Sequence, residues 1–155
     1  MERRDFLVSG SSATALALAA ASGLTPAHAQ NAAGWNKAAF DSKTLADAAK
    51  AMGASSAPVE SKDLILQAPE IAENGAVVRI GAQSNIANTS QISFVVEKNP
   101  SALAASFDIP AGTDANVSTN IKMGQSSNVY ALAKAGDKYF YAVKEVKVTL
   151  GGCGG

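Results

Sequence analysis

The chain has 155 residues, 47% of them hydrophobic, 17% charged and 6% aromatic, with 13 Lys+Arg balanced by 13 Asp+Glu. That is the length of one domain, and a formal net charge of zero leaves no cationic footprint for phosphate backbones or anionic lipid, so nucleic acid is set aside as a partner. A single His, a single Cys and a single Trp leave chemistry that rests on any of these side chains one copy to use.

Residues 1–29 read as an export signal: Arg3-Arg4 precede Asp5-Phe6-Leu7, an Ala/Leu-rich run continues to Leu24, and Ala27-His28-Ala29 forms a small-x-small cleavage site. The paired arginines and the mild hydrophobicity of the run resemble a twin-arginine signal, although Glu2 stands where Ser or Thr is usual and Val8 where Lys is common. A general secretory signal is the plainer alternative, whereas the run is too short and too Ala-rich for a retained anchor. The expected destination is the periplasm, with no membrane attachment after cleavage. Cleavage after Ala29 removes Glu2, Arg3, Arg4 and Asp5, which keeps the charge balanced, and it removes His28. A mature chain without histidine excludes Ser-His-Asp and Cys-His nucleophiles, His-ligated zinc and a proximal-His haem. Cys153 alone makes no internal disulfide, zinc site or iron–sulfur cluster, so no cofactor and no metal are expected.

Residues 30–58 read as an N-terminal helical segment. After the linker Gln30–Gly34, the stretch Trp35–Met52 spaces Phe40, Leu45, Ala49 and Met52 as one apolar helical stripe, with Asp41 or Ser42 placed to cap a second short helix and Gly53 to end it. Beyond the loop Ala54–Pro58, residues 59–150 change to a period of two, punctuated by Pro69, Asn74-Gly75, Asn88, Asn99-Pro100, Pro110-Ala111-Gly112, Gly124 and Gly136-Asp137. The alternating sets are Leu64/Leu66, Val78/Ile80/Ala82, Ile92/Phe94/Val96, Phe107/Ile109, Val117/Thr119/Ile121/Met123 and Tyr130/Leu132. In the last run Tyr139, Tyr141 and Val143 share one phase and Val146, Val148 and Leu150 the other, which predicts a bulge near Lys144-Glu145. About seven short antiparallel strands without crossover helices predict a mainly β fold, an immunoglobulin-like antiparallel β-sandwich.

Few side chains in the sandwich suggest chemistry. Glu70/Glu73 and Asp108/Asp114 lack the spacing of a calcium loop or an acid/base pair and read as solvated turn residues. Arg79, the only arginine after the signal, reads as a surface strand residue. Tyr139, Phe140 and Tyr141 divide between two faces of a strand, one in the core and the other free for an interface. Asn and Ser between Asn85 and Ser93 read as loop and strand-edge chemistry.

Residues 151–155, Gly151-Gly152-Cys153-Gly154-Gly155, follow the last strand directly. Four glycines around one thiol cannot pack as a core and impose almost no backbone preference, so the segment reads as a flexible arm. The three residues from Leu150 to Cys153 extend the sulfur about 10 Å past the strand, and the missing side chains keep the arm thin enough for a narrow channel. With no His and no helix N-terminus beside it, the thiol pKa is expected near or above that of a free thiol. A weakly activated thiol on a long arm makes a poor catalyst and a good handle. The rival readings are an incidental or coupling cysteine and a binding or assembly module that uses the tail for an intermolecular disulfide; in the latter the glycines would be accidental.

Taken together, the twin-arginine start, Trp35-Asn36-Lys37-Ala38-Ala39-Phe40, Ala68-Pro69-Glu70-Ile71-Ala72-Glu73-Asn74-Gly75 and the closing Gly-Gly-Cys-Gly-Gly resemble the SoxY family, the sulfur-carrier subunits of bacterial thiosulfate oxidation. The resemblance implies that Cys153 bears the sulfur substrate covalently and that a SoxZ-type subunit forms a heterodimer with the carrier. It further implies transient docking to a haem enzyme that couples thiosulfate to the thiol, a dimanganese hydrolase that releases sulfate and, in some bacteria, a sulfur dehydrogenase. The carrier itself would not be an enzyme.

Overall fold

The computed structural model describes residues 36–150. Two short helices open this region. In α1 (Lys37–Phe40) the Asn36 side chain accepts the Ala39 N–H at 3.1 Å, and its amide also donates to the carbonyl of Ala51 at 2.7 Å, tying the helix to its successor. The successor, α2 (Leu45–Ala51), is capped by Thr44, whose oxygen accepts from Asp47 N–H at 3.1 Å while its hydroxyl donates to the Asp47 carboxylate at 2.7 Å. The expected caps Asp41 and Ser42 are therefore not used, because Ser42 is buried with its carbonyl bonded to Ala102 and Asp41 closes α1 instead. Gly53 does end the second helix: at φ 97° it adopts the left-handed conformation, and Gly53 and Ala54 donate back to the Lys50 and Ala49 carbonyls at 3.0 and 2.9 Å.

Nine strands follow: β1 (Val59–Glu60), β2 (Leu64–Gln67), β3 (Ile71–Ala72), β4 (Val78–Ser84), β5 (Thr89–Val96), β6 (Leu103–Asp108), β7 (Asn116–Ile121), β8 (Ser127–Ala135) and β9 (Lys138–Val148). The larger sheet runs β1-β9-β8-β5-β6 with β3 also pairing to β9, and the smaller runs β2-β4-β7. The expected mainly β sandwich is borne out. Its strand count exceeds the expected seven because β1 and β3, two residues each, pair with β9, and both do so in parallel. Two-residue pairings carry too little alternation to be visible in a sequence.

The core between the sheets is mainly aliphatic: Leu64, Leu66, Val78, Ile80, Ala82, Ile92, Phe94, Val96, Ile121, Met123, Val129, Ala131, Ala133 and Val146 are all buried there, with Phe94 edge-on to Phe107 at 6.3 Å. The larger sheet is covered on its outer face as well. Ala39 and Ala48 lie against Val95, Ala102 and Leu103, and Ala49 lies against Leu132 and Tyr139, whose hydroxyl donates to the Met52 carbonyl at 2.6 Å. Alanine on the helix faces lets the backbone approach the sheet closely. This second layer explains two departures from the sequence pattern. In β8 the pair Tyr130/Leu132 faces the helices, and Val129, Ala131 and Ala133 face the other sheet.

In β9 the register with β8 is unbroken from Lys138 to Val146, so there is no bulge at Lys144-Glu145. Its change of apolar phase arises because Tyr139 packs under α2 at one end while Val146 and Val148 meet the inter-sheet core at the other. Register shifts occur instead in β5, at Phe94/Val95 against β6 and at Thr89/Gln91 against β8. Phe94→Ala should cost about 3–5 kcal/mol through the cavity it opens, and Tyr139→Phe about 0.5–1.5 kcal/mol through one lost hydrogen bond. Urea unfolding of the two variants should separate them in that order.

Candidate functional site

The end of β9 is where the sandwich hands over to the cysteine segment, and the loop Glu70–Gly75 wraps around it. Lys147 N–H donates to the Glu70 carbonyl at 2.9 Å, Thr149 N–H to Ala72 at 3.1 Å, and the Thr149 hydroxyl to the Glu73 carbonyl at 3.0 Å. Gly75 N–H then donates to the Leu150 carbonyl at 2.7 Å, and the Gly75 carbonyl accepts Met123 N–H at 2.7 Å. The loop owes its shape to an Asx turn, in which the Asn74 side chain accepts Ala76 N–H at 2.8 Å. From the other side Ser126 Oγ accepts Val148 N–H at 2.9 Å. The backbone N–H groups of Lys147, Val148 and Thr149 thus all have partners, and backbone bonding continues to the Leu150 carbonyl.

Cys153 with Gly151, Gly152, Gly154 and Gly155, and the signal residues Arg3, Arg4 and Ala29, lie outside the described residues. Among those that are described, no group of three or more His, Cys, Asp or Glu side chains is placed to hold a metal ion. Glu70 and Glu73 are exposed and contribute carbonyls, not carboxylates, to the clamp on β9. Asp108 is exposed and accepts from Gln91 Nε2 at 2.9 Å, and Asp114 is likewise exposed. Arg79 is exposed on β4 opposite Asn120, beside an open hollow that it shares with Ile65, Gln67, Pro69 and Lys144.

The aromatic trio divides as its alternation requires. Tyr139 and Tyr141 share the helix-covered face, where Tyr141 meets Tyr130 edge-on at 5.9 Å, and Phe140 faces the opposite way. Burial, reinforced by the Glu97 carboxylate, pushes the Tyr130 phenol above its ordinary pKa. It therefore stays protonated across physiological pH.

Ser126 and the carbonyls of Glu70, Ala72 and Glu73 were missed in the sequence. Their role depends on partners 22 or more residues away in the chain, for which no local pattern exists; only the turn signal Asn74-Gly75 hinted at this loop.

The family model described as sulfur oxidation protein SoxY matches residues 48–153. The chain belongs to the SoxY family. Its role accordingly lies in sulfur oxidation. Among solved structures, the sulfur carrier protein SoxY from Chlorobium limicola f thiosulfatophilum is 38% identical with a TM-score of 0.59, and the match covers 67% of this chain and 96% of that one. A lytic polysaccharide monooxygenase from Jonesia denitrificans matches at 15% identity and a TM-score of 0.38 over 60% of this chain and 59% of its own, and carries no argument. No curated protein matches the chain. The family match extends through the clamp and on to Cys153.

If the clamp holds the strand end as its bonds imply, Ser126→Ala should cost about 1 kcal/mol and so speed amide exchange at Val148 by about fivefold while the core strands β5 and β8 keep their protection. Hydrogen-exchange mass spectrometry of the peptide ending at Leu150 provides the check.

Proposed function

We propose that this protein is a covalent sulfur carrier, which holds intermediates of thiosulfate oxidation on Cys153 and presents them to partner enzymes without catalysing their conversion. The observation that carries the reading is the junction at Leu150: backbone bonds secure the strand up to its carbonyl, and Gly-Gly-Cys-Gly-Gly follows at once within a family match that reaches Cys153. Gly151, Gly152, Gly154 and Gly155 serve as the thin, adaptable arm and Cys153 as the attachment point.

The chemistry asks little of the sandwich. In the loading step a haem-containing partner withdraws two electrons as the Cys153 thiolate sulfur bonds to the outer sulfur of thiosulfate, giving a cysteine S-thiosulfonate. In the release step a dimanganese hydrolase uses water to cleave the bond between that sulfur and the sulfonate, freeing sulfate and two protons and leaving a persulfide anion on the arm. A sulfur dehydrogenase, where present, acts on that remaining sulfur. The carrier needs no cofactor or metal of its own for either step, because each partner brings its reactive group to the arm.

Arg3-Arg4 and cleavage after Ala29 direct the chain to the periplasm by the twin-arginine route, already folded and paired with a SoxZ-type subunit that lacks a signal. Among the described residues no helix is long and apolar enough to cross a membrane.

Mass mapping of protein from cells grown on thiosulfate should find reducible sulfur additions confined to the peptide that contains Cys153, and Cys153→Ser should abolish thiosulfate-dependent respiration. Activity that survives this substitution overturns the carrier reading. Replacing Gly151-Gly152 by Pro-Pro stiffens and thickens the arm without touching the core. Turnover should then fall by more than tenfold while iodoacetamide still labels Cys153 at its normal rate.

A further inference from the structure

The outward face of the smaller sheet carries a charged hollow for which the arm has no use. It is built on the cross-strand row Gln67, Gly81 and Ser118, in which Gly81 of β4 pairs with Gln67 of β2 on one side and Ser118 of β7 on the other. A Cβ on Gly81 would stand 3.3 Å from the Val117 carbonyl oxygen and 3.4 Å from Gln67 Oε1, so the glycine is what lets the Gln67 side chain lie across β4. Arg79 shares this face, because Val78, Ile80 and Ala82 turn inward to the core and alternation sends Arg79 and Gly81 outward. Arg79, Gln67 and Ser118 line one hollow of about 570 Å³ with Lys144 from β9 and the apolar side chains of Ile65 and Pro69, and no carboxylate is among its lining residues.

Neither cation is spent within the fold. Among the described residues the one ion pair joins Lys37 and Asp41, and no side-chain hydrogen bond engages the Arg79 guanidinium, the Lys144 ammonium or the Gln67 amide. Two like charges on one hollow repel, and a doubly charged oxyanion relieves that repulsion while it accepts charge-assisted bonds from both. The aliphatic wall beside them selects further: it suits an anion with one weakly hydrated side, as does a guanidinium, which is itself less strongly hydrated than an ammonium. Thiosulfate has that form, with three oxygens at one end and a large, soft sulfur at the other. We propose that the hollow is a non-covalent site for a small divalent sulfur oxyanion, whose oxygens Arg79 and Lys144 hold and whose soft side faces Ile65 and Pro69. The proposal rests on the carrier reading for the class of ligand and adds a second site to it. Lys144 stands six residues from Leu150, about 20 Å along the chain and twice the span from Leu150 to Cys153. Both cations are exposed, so binding is in the millimolar range and weakens with salt.

The test titrates the nitrogen-15-labelled full chain, carrying Cys153→Ser so that no adduct forms, with sodium thiosulfate at an ionic strength held constant by sodium chloride. The Arg79 Nε–H, the Gln67 side-chain amide and the Ser118 N–H should shift together and saturate, with a midpoint below about 10 mM. Arg79→Gln/Lys144→Gln should raise that midpoint at least about fivefold; should the pair unfold the domain, Lys144→Gln alone should raise it at least about twofold. Lys138→Gln, about 20 Å along β9 from Lys144, removes the same charge elsewhere and should leave the midpoint unchanged.

Shifts that rise without saturating, or that chloride alone reproduces, show general screening and overturn the proposal. So does a midpoint that Lys138→Gln raises as much as the double variant does. Succinate, a dianion with strongly hydrated ends, should bind at least about fivefold more weakly, and equal binding overturns the assignment to sulfur oxyanions. Loss of the thiosulfate shifts when the partner subunit is added shows that protein covering the hollow, and also overturns it. The carrier reading is scored separately, by the mass of the Cys153 peptide in the unaltered chain: sulfur additions there without saturable shifts sink the hollow alone, and saturable shifts without additions sink the carrier reading and leave the oxyanion site standing.

Discussion

Backbone hydrogen bonds along the outer edge of β9 are the constraint on which the rest of this domain depends. A final strand at the margin of a sheet leaves a row of N–H and C=O groups facing water, and such an edge frays from its free end. Here two-residue strands meet it at both ends in parallel: Val59 and Glu60 pair with Phe140 and Tyr141, and Ile71 and Ala72 with Lys147 and Val148. Between them the chain leaves the larger sheet, forms β2 against β4 and returns. The excursion from β1 to β3 thus ties the two sheets together at one margin and carries strand order out to Leu150.

Two-sided burial follows from the same arrangement. With β9 held at its margin, β8 and β5 become interior strands, and α1 and α2 close over their outer face through Ala39, Ala48 and Ala49. That is why Ile92 to Val96 is buried without interruption, although simple alternation would leave every second residue wet. It also explains how a chain with so few aromatic residues forms a core: the inter-sheet space is filled mainly by Val, Ile, Leu and Ala around Phe94, Phe107 and Met123, and the tyrosines Tyr130, Tyr139 and Tyr141 lie where sheet meets helix.

What the sequence made legible divides along the range of the interactions. Strand phases on the smaller sheet and in β5 were readable from Leu64/Leu66, Val78/Ile80/Ala82 and Ile92/Phe94/Val96, because one face of each meets a single aliphatic core. Tyr130/Leu132 and the apparent slip in β9 were misread, because a period-two pattern records burial and not which layer does the burying. Thr44 was passed over as a cap in favour of Asp41 and Ser42, since nothing local shows that Ser42 is committed to Ala102 across 60 residues of chain. The Gly-Gly-Cys-Gly-Gly segment is read from five adjacent residues and lies outside the described residues, so its reading stays a proposal. The clamp beneath it joins residues 70–75 and 126 to 147–150, and only the folded chain brings these together.

For a carrier, that clamp and that arm are two halves of one requirement. The concentration of a tethered thiol at a partner's reactive group falls roughly as the −3/2 power of tether length once the tether is long enough to reach. If the last two residues of the fold frayed, the tether to Cys153 would lengthen from three residues to five, and the effective concentration would drop by about twofold by that scaling. On the proposed reading, the bonds made by Lys147, Thr149 and Leu150 therefore fix where the tether begins and with it the reach of the sulfur. The glycines that follow in the sequence are, on the same reading, what would let one sulfur be passed between differently shaped sites.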